Sequence, residues 1–80
     1  MYRLLCDKPL TAIWDGLPDD ASRQLTAALS DVCHEPFIET EPWGIDDGIN
    51  RILVRPLVTA RLAVNEQAQT VRIYSIEYRR

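Results

Sequence analysis

Residues 49–80 read INRILVRPLVTARLAVNEQAQTVRIYSIEYRR, and the spacing of apolar side chains in this stretch decides the fold. Side chains alternate between the two faces of a strand, so an apolar period of two marks a sheet with one covered face. From Ile49 to Arg55, Ile52 and Val54 fall on one face, and Arg51, Leu53 and Arg55 on the other. The apolar pair, Ile52 and Val54, is expected to face the core. Pro56 has no N–H to give to a ladder and breaks the strand, and Leu57 to Thr59 must make the turn. Ala60, Leu62 and Val64 then alternate against Arg61, Ala63 and Asn65. A polar loop, Glu66 to Gln69, leads to a third strand from Thr70 to Tyr78. That strand has a defect of phase: Val71 and Ile73 agree, whereas Ile76 and Tyr78 have the opposite parity. One extra residue flips the facing of everything beyond it, so a β-bulge is expected near Tyr74 and Ser75.

Upstream of residue 49 the period is that of helices. Leu10, Ile13, Trp14 and Leu17 are spaced i, i+3, i+4, i+7, one face of a short helix with Pro9 in its first turn. Gly16 and Pro18 stop it. Asp19 and Asp20 then open a second helix, where the dipole favours acids. Its apolar stripe is Ala21, Leu25, Ala28, Leu29 and Val32, and Pro36 ends the run. The short link between the two predicts an antiparallel helical hairpin. Tyr2 to Cys6 reads as a short first strand. Residues 36–48, rich in Pro, Gly and acids, read as a loop of about a dozen residues, long for a compact domain. The order is strand, helix, helix, then a three-stranded antiparallel meander. This is an α+β domain with its helices on one face of an antiparallel sheet.

The composition bounds the class. At 80 residues the chain is one domain, 1–80, and 46% hydrophobic with 26% charged residues excludes disordered and low-complexity classes. It holds no run of 18 apolar residues to cross a membrane, and Asp7 interrupts the apolar stretch a secretion signal would need. A cytoplasmic protein without membrane contact is expected. Cys6 and Cys33 are too few for a disulfide framework and lack metal-ligand spacing, so two free thiols are expected. The net charge of −3 hides an asymmetry. Residues 1–47 carry three cations and ten acids, whereas residues 48–80 carry six arginines and two glutamates. Arginine forks onto phosphate and carboxylate, so the basic half reads as an anion-binding or partner face, or as solvated strand arginines.

This order of elements, and several local motifs, resemble the RelE/ParE superfamily of toxins. That family opens with a tyrosine-bearing strand and a helical hairpin with a leucine-proline link; Tyr2 to Leu5 and Gly16-Leu17-Pro18 stand in those places. Its central strand carries an arginine after a short turn, as in Thr59-Ala60-Arg61-Leu62-Ala63-Val64. Its last strand carries an apolar pair, a bulge, and an aromatic or histidine followed by arginine, similar to Val71-Arg72-Ile73-Tyr74-Ser75-Ile76-Glu77-Tyr78-Arg79-Arg80. The resemblance spans nearly the whole chain. It implies the toxin of a bacterial type II toxin–antitoxin module, held inactive by a cognate antitoxin. Two activities fall within it: a metal-independent mRNA endoribonuclease that inhibits translation on the ribosome, and a non-enzymatic inhibitor of DNA gyrase. A catalytically degenerate, antitoxin-binding domain is a further alternative. No cofactor and no metal are implied.

Metal-free RNA cleavage needs a base for the 2′-hydroxyl, cations for the phosphorane charge and an acid for the leaving oxygen. By the resemblance, Arg61 is the phosphate-stabilising group and Tyr78 and Arg79 flank the scissile phosphate. Arg51, Arg55 and Arg80 are the expected substrate-binding cations. The other reading of Arg61 is an ion pair with Glu77 across the sheet. Asp46 and Asp47 are candidate bases ahead of the first meander strand, or else part of a solvated loop. Tyr74 and Tyr78 need pKa values far below the ordinary phenol to move protons. The chain departs from RelE-like enzymes in its single lysine, Lys8, in lacking a histidine in the last strand, and in its acidic isoelectric point of about 4.9. His34 falls at the end of the second helix, where a capping role is expected. Trp14 belongs to the core stripe. Trp43, in a polar loop, suits covering the sheet edge or touching a partner.

Overall fold

The computed structural model describes residues 1–79; Arg80, one of the expected substrate-binding arginines, lies outside the described residues. The chain runs β1 (Arg3–Leu5), α1 (Lys8–Asp15), α2 (Asp19–His34), α3 (Pro36–Glu39), β2 (Glu41–Pro42), β3 (Asn50–Val54), β4 (Val58–Asn65) and β5 (Thr70–Tyr78). The strands form a five-stranded sheet in the order β1-β5-β4-β3-β2. The meander β3-β4-β5 is antiparallel, as its alternation predicts. The sheet as a whole is mixed, which corrects the expectation of a purely antiparallel one. β1 runs parallel to β5, with Arg3 opposite Thr70 and Leu5 opposite Arg72. Parallel neighbours need a long crossover, and everything between them in the chain supplies it.

The helices cover one face. α2 buries Ala21, Leu25, Ala28, Leu29 and Val32, the stripe expected from its spacing. These side chains meet Leu53, Val58, Ala60, Leu62, Val64, Val71, Ile73 and Ile76 from the sheet. Fully burying a Leu, Val or Ile side chain contributes about 1.5–3 kcal/mol, so this cluster carries most of the fold's cohesion. α1 lies over β5 and contributes half-buried Leu10 and Trp14, with Leu17 just beyond it. The side chain of Gln24 in α2 accepts a hydrogen bond from the Leu57 N–H at 2.7 Å, tying the helical layer to the β3–β4 turn.

The bulge is where the phase defect requires it. Arg61 pairs with Ser75 while Leu62 pairs with Ile73, so Tyr74 is the extra residue. Ile76 then faces inward opposite Ala60 and is buried.

Two expectations are corrected. Residues 36–48 are not one continuous loop, because α3 and β2 interrupt it and β2 adds an edge strand to β3. In β3 the facing is the reverse of that predicted: Leu53 is fully buried and Arg51 nearly so, while Ile52 and Val54 lie on the other face. The cause is α3. A helix end leaves carbonyls without partners, and α3 ends directly above β3. The Arg51 guanidinium donates to Thr40 Oγ1 (2.9 Å), Thr40 O (2.7 Å) and Phe37 O (3.3 Å). It also lies over the Phe37 ring, 5.2 Å from its centroid, with Asp46 at 3.7 Å. Counting polarity sends arginine to solvent. Here it caps a helix, and Leu53 follows it inward.

Both cysteines are free and half-buried. Burial pushes the Cys33 thiol up, with the nearby N-terminal amine pulling less strongly the other way. A raised thiol is mostly unionised at neutral pH and reacts slowly. Thiol titration is expected to find two reactive sulfurs in unfolded, unreduced protein, with Cys33 slow in the native state. A yield of no thiols after unfolding would contradict the assignment.

Candidate functional site

The sheet face turned away from α1 and α2 is open. Reading the register outward, it presents Asn50, Ile52 and Val54 of β3, Thr59, Arg61 and Ala63 of β4, and Arg72, Ser75 and Glu77 of β5. The bulge adds Tyr74, which is well exposed and lines a shallow groove of about 310 Å³ with Ala63 and Arg72. Apolar Ile52 and Val54 form part of the floor, so the surface can hold a flat or apolar group as well as an anion.

Arg61 stands near the middle of this face. It is exposed, opposite Ser75 on one side and Ile52 on the other. Among the described residues its guanidinium makes no hydrogen bond or ion pair; its contact is with Trp43, whose ring centroid is 4.7 Å away. Such a contact at an exposed site is worth about 0.5–1 kcal/mol, enough to orient the group without consuming its N–H donors. The expected alternative, an Arg61–Glu77 ion pair, is not formed. Glu77 pairs with Thr59, diagonal to Arg61 on the same face, and is exposed.

The other expected site residues separate from Arg61. Arg51 leaves the set because it is buried behind the sheet in the α3 cap. Arg55 lies beside α3, 3.5 Å from Glu39, with its Nη1 donating to the Val54 carbonyl. Tyr78 is opposite Val58, a fully buried residue, and so belongs to the helical side of the sheet. Arg79 is exposed beyond the end of β5; its N–H bonds Leu57 O at 2.8 Å and its guanidinium donates to Arg55 O at 3.2 Å. It is four residues from Ser75, roughly 13 Å along the sheet at about 3.3 Å per residue, so it and Arg61 do not clamp one phosphate as they rest. Arg72 shares the open face but pairs with Asp7 at 3.1 Å.

The acidic candidates resolve in the same way. Asp47 accepts the N–H groups of Ile49 and Asn50, each at 2.9 Å, and the Asn50 side-chain amide at 2.8 Å. These bonds hold its carboxyl below the ordinary aspartate range, which makes it a poor base and a good loop staple. Because its folded-state pKa is depressed, the stability it lends is present above the ordinary aspartate pKa and is lost as pH falls through the lowered one. A carboxyl NMR titration is expected to place Asp47 below ordinary aspartates, with the Ile49 and Asn50 amide shifts moving in step. Titration at the ordinary value would show the staple is not formed. His34 donates Nδ1–H to Ser30 O at 2.8 Å, since a carbonyl can only accept, and it is a helix-end group as expected. Glu77 is the carboxylate that sequence reasoning treated only as an ion partner. The signal for its placement was the bulge, which returns positions 75 and 77 to the face of Arg61.

No protein-family model and no curated protein matches the chain by sequence. Solved structures match it closely in shape. A chain of the toxin–antitoxin complex RelBE2 from Mycobacterium tuberculosis superposes with a TM-score of 0.83 at 16% identity, covering 98% of this chain and 98% of that one. The isolated E. coli RelE toxin gives 0.82 at 20% identity, covering 100% of this chain and 86% of that one. The protein has the RelE toxin fold. The archaeal RelE–RelB complex from Pyrococcus horikoshii extends the likeness, with a TM-score of 0.74 at 15% identity over 98% of this chain and 94% of that one. Within the RelE fold this chain places Arg61, unpaired among the described residues, with a carboxylate, two aromatics and an apolar floor on its open sheet face. No helix among the described residues is long and apolar enough to cross a membrane.

Proposed function

We propose that this protein is the toxin of a toxin–antitoxin pair, and that it cuts mRNA on the ribosome through the open face of its sheet. The observation that carries the reading is Arg61, an exposed arginine held by Trp43 with its N–H donors unused among the described residues. In cleavage at a 2′-hydroxyl, that guanidinium stabilises the charge that builds on the phosphorane. Glu77, on the same face, takes the 2′-hydroxyl proton. The 2′-oxygen bonds to phosphorus to give a 2′,3′-cyclic phosphate as the P–O5′ bond breaks, and the departing 5′-oxygen takes a proton from the Glu77 carboxyl through water. Arg79 holds the strand further along, after letting go of the Arg55 carbonyl. Neither step calls for a metal or cofactor. RelE structures solved as RelB–RelE complexes support a cognate antitoxin that covers this protein too.

A second reading has its own observation. Ile52 and Val54 put apolar groups on the open face, and the acidic balance of the chain repels polyanions. Both favour a protein target, as in a gyrase inhibitor, or a degenerate toxin kept for antitoxin binding. Induced expression separates the two. The nuclease reading expects labelled amino-acid incorporation to fall within minutes while plasmid supercoiling stays normal. Lost supercoiling with translation intact moves the gyrase reading ahead.

A further inference from the structure

Trp43 sits outside the core, 43% exposed, yet it is firmly placed. Its backbone N–H donates to Asn50 O at 3.0 Å. The loop that follows is stapled by Asp47 to the backbone of Ile49 and Asn50. Gly44 and Gly48 have φ of +73° and +72°, a conformation that side-chain-bearing residues rarely adopt. The loop thereby turns back on itself, and the indole of Trp43 reaches past β3 to Arg61 on β4. A large apolar ring is thus held against a cation on an open surface.

We propose that Trp43 and Arg61 form one nucleotide-holding unit, in which the arginine fork takes a phosphate and the exposed indole stacks the base beside it. The inference rests on the RNA-directed reading above and specifies its substrate as an unpaired strand. A guanidinium over an indole is held through its charge and flat face, which leaves the in-plane N–H donors free for phosphate oxygens. Unpaired bases stack on aromatic rings, and every base has a face to offer, so the unit selects for single-stranded character over sequence. An acidic peptide would satisfy Arg61, but its carboxylates bring nothing flat for the indole. Tyr74, exposed on the same face, lies on the β5 side of Arg61 and extends the surface for a neighbouring base.

The test is fluorescence titration of full-length Trp14→Phe protein, in which Trp43 is the one remaining tryptophan. The probe is a 2′-O-methyl oligoadenylate of about eight nucleotides, a length within the footprint of single-strand grooves and resistant to cleavage at the 2′ position. Saturable quenching of Trp43 is expected. Read by the anisotropy of an end-labelled oligomer, since alongside Trp14→Phe these variants carry no reporting indole, Trp43→Leu is expected to weaken binding about tenfold and Trp43→Phe to retain most of it. An abasic oligomer of the same backbone should bind the Trp43→Leu variant as tightly as the protein that keeps Trp43, because only its phosphates are engaged. Binding that depends on Arg61 but neither quenches Trp43 nor weakens in Trp43→Leu overturns the unit and leaves the RNA reading standing. No binding of either oligomer, with folding verified by circular dichroism, overturns both. Quenching by polyglutamate and not by the oligomer overturns the unit in favour of an acidic protein partner.

Discussion

Truncating Leu53 to alanine is expected to cost about 2 to 5 kcal/mol, while Ile52→Ala, one residue away, costs less than about 1 kcal/mol. Leu53 is fully buried, opposite Ala60 in a core that also holds Leu25 and Leu29. Its removal takes away the transfer energy of the side chain and leaves a cavity that the sheet cannot easily close. Ile52 is half-exposed on the open face, so its methyl groups lose few contacts. Small domains hold only about 5–15 kcal/mol of stability in total, so Leu53→Ala consumes a large share of it. Urea midpoints of the two variants, at unchanged m, make the measurement. A larger loss in Ile52→Ala would restore the facing that alternation alone suggests.

The second large effect is on activity. Arg61→Ala is expected to abolish the growth arrest that follows induced expression, because losing one preorganised charge stabiliser typically costs on the order of 10²-fold or more in rate. The substitution should spare the fold, since Arg61 is exposed and its loss removes one cation–π contact with Trp43. Arg79→Ala is expected to weaken the arrest less. Its guanidinium is already engaged by the Arg55 carbonyl and sits well along the sheet from Arg61. Growth curves of induced cultures, with circular dichroism of each purified variant, decide the point. Full toxicity in folded Arg61→Ala protein rules out this site.

Much of the architecture was legible because burial imposes a period. The α2 stripe from Ala21 to Val32 and the alternation from Ala60 to Val64 need no partner to be read. The bulge at Tyr74 was legible from a phase error, since Ile73 and Ile76 cannot both face inward without an inserted residue. What escaped was set by contacts distant in sequence. The inward turn of Arg51 depends on carbonyls at Phe37 and Thr40, on a four-residue helix too short to announce itself by periodicity. Once Arg51 is inside, Ile52 and Val54 must be outside, and one misread side chain reverses a whole strand. The parallel pairing of β1 with β5 escaped for a related reason: three residues carry too little pattern to name their neighbour. On the open face, the outward position of Arg61 was legible from the alternation of its own strand. Arg51 and Arg55 looked equivalent to it, because sequence records charge and not which acceptors stand nearby. The Trp43 contact required knowing that β2 pairs with β3, which sets Trp43 beside Asn50 and brings its indole to Arg61.

The central claim is that the open sheet face acts on mRNA through Arg61, and mapping new 5′ ends of cellular transcripts after induced expression tests it most directly. The account predicts fresh ends within translated coding regions in cells expressing the wild-type protein. They should be absent from cells expressing Arg61→Ala at equal level and absent when ribosomes are kept off the message. Intact transcripts during a full growth arrest by the wild-type protein would contradict it.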